Sequence, residues 1–292
     1  MKFVRAPRVK RGERPGFPRY RSARRYDSIT FPSYGDGCRL LDTGKLRVQG
    51  AGHIKVKLHR PVEGEIKTVT IKRQAGRWFV CFSVERDTSP LPVSDRATGI
   101  DVGLNSFAVL ADGTEIQNPR HYRKAEARFR CSQRKVARRK NKRSNRRRKA
   151  VRLLQRAHAH VGNQRRDFQH KESRKLVNRY GLIAVEDLNV KGLAGGMLAK
   201  SVHDAGWAAF LNMISYKAED AGRDYRKVDA RGTSQECLCG ARVPKTLADR
   251  WHDCPACGLS ASRDHVSAQL ILKRAWIGPS SANVEVVVSC VA

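Results

Sequence analysis

The chain has 292 residues, 40% of them hydrophobic, so a sizeable core can form and wholesale disorder is excluded. Against 27 Asp and Glu stand 59 Lys and Arg, a formal net charge of +32 that no ordinary enzyme of small metabolites needs. A polyanionic partner would explain it, because each cation facing a phosphate releases condensed counterions.

Met1 is followed by basic residues without an apolar h-region, and no apolar stretch is long enough to cross a bilayer. The expectation is a cytoplasmic, nucleoid-associated protein with no membrane partner. Residues 1–35 are rich in Arg, Pro and Gly without periodicity and read as a basic extended arm. Over 36–95 the pattern turns strand-like. Ile54, Val56 and Leu58 alternate with polar neighbours, Val69 and Ile71 repeat the alternation, and Trp78, Val80, Phe82 and Val84 form one face. Glycines punctuate these runs, which predicts a partial β-barrel or small antiparallel sheet whose outward faces are basic.

After a polar linker, Asp87 to Arg96, the character changes to α/β. Thr98–Leu104 and Phe107–Leu110 read as two strands across a tight turn, with Asp112-Gly113 marking the next hairpin. The segment from Tyr122 to Tyr180 is helical in composition, poor in acids and broken near Arg143-Ser144-Asn145. Arg138, Arg139 and Lys140 precede that break, and Arg146, Arg147, Arg148 and Lys149 follow it. Such a helical pair repels itself unless phosphates lie against it, so these seven are the candidate nucleic-acid contacts. Gly181–Glu186 reads as a buried parallel-type strand. One helix over Val202–Ala221 follows, with Trp207, Phe210, Leu211 and Ile214 on its core stripe. A strand at Tyr225–Val228, a cysteine cluster and a helix from Arg263 to Ala275 complete the pattern. Residues 276–292 carry no helix signal.

Three acids stand where elements end. Asp101 sits in the first α/β strand beside Gly103, Glu186 ends the apolar strand, and Asp264 opens the last helix, whose dipole favours its ionised form. Two-metal phosphodiester chemistry needs such a set, carboxylates from separate elements that converge on divalent metal ions. Mg²⁺ keeps several waters, so three acids suffice. Of the eight cysteines, four cluster as Cys237-Leu238-Cys239 and Cys254-Pro-Ala-Cys257. Clustered thiolates in a chain expected to be cytoplasmic favour a structural Zn²⁺ site over disulfides, with His252 as a possible replacement ligand.

Gly99-Ile-Asp-Val-Gly-Leu104, Val185-Glu-Asp-Leu-Asn-Val190 and Arg263-Asp-His265 resemble the three RuvC motifs of the TnpB family. These are OrfB proteins of insertion sequences, long described as transposases and related to type V CRISPR effectors. The likeness continues through Asp204-Ala-Gly-Trp207, Tyr216-Lys-Ala218 and Thr233-Ser-Gln235. It implies an α/β, RNase H-like (RuvC) domain over 96–236 and 258–275, with a basic helical insertion at 122–180 and a zinc knuckle at 237–257. A wedge-like partial β-barrel over 36–95 would precede it and a tail over 276–292 would end the chain. It further implies an RNA-guided DNA endonuclease with guide RNA and target DNA as partners. Asp101, Glu186 and Asp264 would be catalytic and bind Mg²⁺ or Mn²⁺, and the cysteines would bind Zn²⁺.

Three features depart from the family. The chain starts almost at Pro15-Gly16-Phe17-Pro18, which suggests an N-terminally shortened member. Cys237-Leu238-Cys239 is one residue short of the usual CxxC. Val266 stands where the family generally has Asn, and Ser267 and Leu270 also differ. A shortened RNA- and DNA-binding remnant with weak or no activity is therefore the alternative reading, and a DNA transposase the third.

Overall fold

The computed structural model describes residues 26–88, 90–246 and 249–277. The chain divides into two compact units, Met1–Asp87 and Thr88–Ala292. Most of the expected basic arm and nearly all of the tail lie outside the described residues.

Among the described residues, the regular elements of the first unit are all strands. β1 (Ser28–Phe31), β5 (Glu65–Gln74) and β6 (Arg77–Glu85) form one antiparallel sheet in the order β1-β5-β6. β2 (Cys38–Leu40), β3 (Lys45–Val48) and β4 (Gly52–Lys55) form another. Cys38, Leu46, Val48 and Val69 are buried together, with Ile71, Val80 and Phe82 packed around them. The expected partial barrel is thus, among the described residues, two three-stranded sheets sharing one core. Two boundaries differ from the sequence reading. Ser28–Phe31, placed in the arm, is a strand paired with Lys72 to Val69; four mostly exposed residues carry no periodicity, and backbone pairing holds them. β4 ends at Lys55, so Val56 and Leu58 leave the strand. Trp78, on the same strand face as Val80 and Phe82, is 63% exposed because it lies at the hairpin tip beyond the core.

The second unit is built on a five-stranded mixed sheet. Its strands are β7 (Ala97–Val102), β8 (Ser106–Leu110), β9 (Glu115–Gln117), β10 (Leu182–Glu186) and β11 (Asp224–Val228). The order is β11-β10-β7-β8-β9. β7, β8 and β9 are antiparallel neighbours, whereas β10 pairs in parallel with both β7 and β11. All five residues of β10 are buried, as a strand flanked on both sides and covered on both faces requires.

Between β9 and β10 stand two helices, α1 (His121–Ala137) and α2 (Asn145–Arg179). The break falls where the sequence predicts it: Ser144 caps α2, its Oγ accepting from the Arg147 N–H at 3.2 Å. Phe129 of α1 stacks on His158 of α2, with ring centroids 4.3 Å apart. After β10 come α3 (Val190–Leu193), α4 (Ala199–Ala205) and α5 (Trp207–Asp220). The single helix expected over Val202–Ala221 is therefore two. Gly206 adopts φ +69°, a left-handed conformation that ends α4. Trp207, Phe210, Leu211 and Ile214 are buried as expected, against Phe107, Leu176 and Val177. A two-stranded ribbon, β12 (Trp251–Asp253) and β13 (Ser260–Ser262), leads into α6 (Arg263–Ile277). The last helix thus runs two residues beyond its expected end at Ala275.

Candidate active site

Parallel register brings the first two acids together. Ala184 pairs with Gly99 and Val185 with Ile100, so the next position sets Glu186 beside Asp101. Residues two apart on a strand share a face, and paired residues of parallel strands do too. Ile100 and Val185 point into the main core with α5. Ala184 points the other way, packing with Val228 against Ile271 and Ala275 of α6. Gly99, Asp101, Ala184 and Glu186 therefore line the face that α6 covers.

α6 lies close on that face because Gly99 lacks a side chain. A Cβ there would sit 2.1 Å from the Ala268 carbonyl oxygen and 2.7 Å from the Leu272 nitrogen. With the helix seated this way, Asp264 in its first turn joins the other two acids. Burial pushes the Asp101 carboxyl well above the usual carboxylate range, and the charges of Glu186 and Asp264 push it further. Arg263 opposes them. Burial also raises Glu186, against a hydrogen bond from Thr233 Oγ1 at 2.5 Å and the charge of Arg274. Arg263 Nε holds Asp264 Oδ1 at 3.2 Å.

Three carboxylates crowded into a poorly solvated site repel one another, and a hard divalent cation relieves that repulsion. The donor set therefore suits Mg²⁺ or Mn²⁺. Asp187, next to Glu186, turns away and pairs with Lys227 at 3.4 Å. A groove of about 390 Å³ opens past the end of β10 on the opposite, α5 side of the sheet, lined among others by Lys191, Asn212, Tyr225 and Lys227.

The four clustered cysteines also converge. Their Sγ atoms all lie within 4.8 Å of one another, with Cys237–Cys257 at 3.6 Å and Cys239–Cys254 at 3.7 Å. A tetrahedron with metal–sulfur bonds of about 2.3 Å has sulfurs about 3.8 Å apart, so the set fits a zinc ion despite the short first pair. His252 is not among these donors. It is buried with Nδ1 against the Lys245 amine, and burial, then the Lys245 charge, lowers its pKa. The knuckle is tied to α6 at two points: Arg263 Nη1 donates to the Asp249 carbonyl at 2.8 Å and Lys273 Nζ to the Leu238 carbonyl at 2.6 Å.

The seven basic candidates divide into two groups. Arg138, Lys140, Arg146, Arg148 and Lys149 are exposed, and their side chains close no helix end. Arg147 is half-buried, its Nη1 donating to the Val136 and Arg139 carbonyls at 2.8 and 2.6 Å, and Arg139 donates to the Lys135 carbonyl. Arg147 thus serves as a cap that closes the end of α1. Sequence reading also misses three supporting residues. Asp204 accepts from the Tyr122 and Arg123 N–H groups and from Arg165, capping α1 from α4. Thr233 braces Glu186, and Gly99 seats α6. Asp204 and Thr233 lie within the family-like motifs, but their partners are distant in sequence.

Two family models match the chain. One, described as "Probable transposase" (OrfB of IS605), covers residues 79–196, and the other, "Cas12f1-like, TNB domain", covers 207–271. A candidate RNA-guided DNA endonuclease of Streptomyces pristinaespiralis is 35% identical over 271 residues, 89% of this chain and 66% of its own. Another, InsQ of Escherichia coli K12, is 29% identical over 280 residues, 89% of this chain and 69% of its own. A solved Cas12f1–sgRNA–target DNA complex matches with TM-score 0.46 and 16% identity, covering 70% of this chain and 55% of that one. The chain belongs to the TnpB (OrfB) family, relatives of the CRISPR-associated Cas12f1 endonucleases. It spans about two thirds of the length of the first two relatives.

Proposed function

We propose that this chain is an RNA-guided, metal-dependent DNA endonuclease encoded by an insertion sequence, acting in the cytoplasm on the nucleoid. The mixed sheet, read from β9 as 3-2-1-4-5, is taken as an RNase H-like, RuvC-type domain with α1 and α2 as its inserted basic hairpin. The first unit, taken as wedge-like, precedes it, and the cysteine knuckle is a structural zinc site inserted before α6. The observation that carries the reading is the parallel register that sets Glu186 beside Asp101, on the sheet face where α6 seats with Asp264 in its first turn.

Asp101, Glu186 and Asp264 are the catalytic acids and would hold Mg²⁺ or Mn²⁺. When bound, such ions activate water and stabilise the leaving oxygen of a phosphodiester. The chain's own contribution is orientation and charge. Thr233 fixes one Glu186 oxygen, Arg263 fixes one Asp264 oxygen, and the knuckle anchors Arg263 through the Asp249 carbonyl. The arginines and lysines free of helix capping at the hairpin end grip the backbones of guide RNA and target DNA, while base pairing selects the sequence.

The test is cleavage of a target plasmid by the purified chain loaded with RNA from its transposon end. We expect Mg²⁺-dependent cuts that disappear with Asp101→Ala and with Asp264→Ala. Equal cleavage by either variant would refute the assignment.

A further inference from the structure

The tip of the β5–β6 hairpin carries aromatic surface that its own unit does not use. Ala75 and Gly76, at φ +51° and +80°, form a two-residue turn of the kind whose twist matches the flanking strands. The strands are in register to the last pair, Gln74 with Arg77, so the tip is a rigid support. Arg73 pairs across from Trp78 and Lys72 from Phe79. Alternation then sends the two rings to opposite faces of the hairpin. Trp78 is 63% exposed and Phe79 43%. Arg73 lies over the Trp78 indole at 5.6 Å from its centroid, and a bond to Asp27 at 2.9 Å holds it there.

We infer that this tip is a base-stacking site for single-stranded nucleic acid, with Trp78 as its platform. A rigid ring of large exposed area offers a stacking surface at little cost in ordering. Arg73, fixed at the ring, supplies a cation beside any base that lands there. Lys72 and Arg77 flank the tip with further positive charge, so phosphates on either side of a stacked base find partners. Charge complementarity favours a nucleic acid over an apolar protein surface, because a tip ringed by Lys72, Arg73 and Arg77 opposes the burial of uncharged area. The site is independent of the nuclease reading, since none of its residues belongs to the acidic cluster.

The experiment uses the full chain titrated with a dodecamer of uridine and with a dodecamer of thymidine, following tryptophan fluorescence and anisotropy. Quenching on binding is expected, together with about tenfold or greater weakening in Trp78→Ala at matched salt. Trp78→Phe should keep affinity within about threefold while most of the quenching vanishes, which separates stacking from any folding defect. Comparing the two oligonucleotides shows whether RNA or DNA is the preferred source of the base. Unchanged affinity in Trp78→Ala, or quenching that survives in Trp78→Phe, would overturn the proposal. So would recovery of the tip as the seat of a protein partner with no oligonucleotide response. A chain that binds and quenches yet never cuts DNA would sink the nuclease reading and leave this site intact.

Discussion

Burial, and then the charges of Glu186 and Asp264, oppose ionisation of Asp101 in the folded protein. The unfolded chain releases this proton at the ordinary carboxylate pH, while the folded chain holds it to a higher pH. Its contribution to stability is therefore complete below the ordinary carboxylate range and is lost as pH rises through the raised folded value. Glu186 acts in the same direction. Asp101→Asn should thus raise the melting temperature of the metal-free protein near neutral pH, by about 2–4 °C for each kcal/mol of repulsion removed. Scanning calorimetry in a chelator checks this, and the same variant should lose the stabilisation that Mn²⁺ gives the native chain. Gly99 makes the opposite case. Gly99→Ala drives a methyl into the α6 backbone and should cost about 1–3 kcal/mol in urea unfolding, displacing Asp264 with the helix. That glycine opens the first family-like motif, but only the packed helix reveals its purpose.

At the scale of elements, the strands that carry the acids are legible in the sequence because their signals are local. An apolar run bounded by glycine identifies β10, and Ser144 between two basic helical stretches marks the α1–α2 break. What is not legible depends on partners far along the chain. Gly206 could sit within a helix at modest cost, and only its φ of +69° separates α4 from α5. Arg147 reads as one cation among seven, yet its guanidinium closes the C-terminus of α1. Arg147→Ala should therefore speed amide exchange at the end of α1. Replacing Arg146, Arg148 and Lys149 by Ala should leave exchange unchanged and flatten the salt dependence of duplex binding, by about 0.9 in log–log slope for each phosphate no longer engaged. Asp204 caps α1 from outside, a role no cap signature before Tyr122 announces. Asp204→Ala should destabilise by about 2 kcal/mol or more, since both a cap and the partner of Arg165 are removed.

For the whole molecule, a zinc-fitting knuckle, a helix and a sheet combine into one acidic site on a strongly basic chain. The knuckle holds α6 through Arg263 and Lys273, so its folding and the placement of Asp264 are linked. Removing zinc with a chelator should release a single ion per chain, lower the melting temperature and weaken Mn²⁺ binding. Cys237→Ser should reproduce all three effects, with atomic emission reading the metal content. The bulk charge of +32 points to a nucleic-acid partner before any fold is known, because charge excess needs no fold to be read. The claim beneath all the others is that Asp101, Glu186 and Asp264 share divalent ions, and a crystal soaked in Mn²⁺ tests it most directly. Anomalous scattering should show manganese between these three carboxylates, and it should vanish in Asp101→Asn. Three carboxylates too far apart to share an ion, or manganese bound elsewhere with this site undisturbed, would contradict the account.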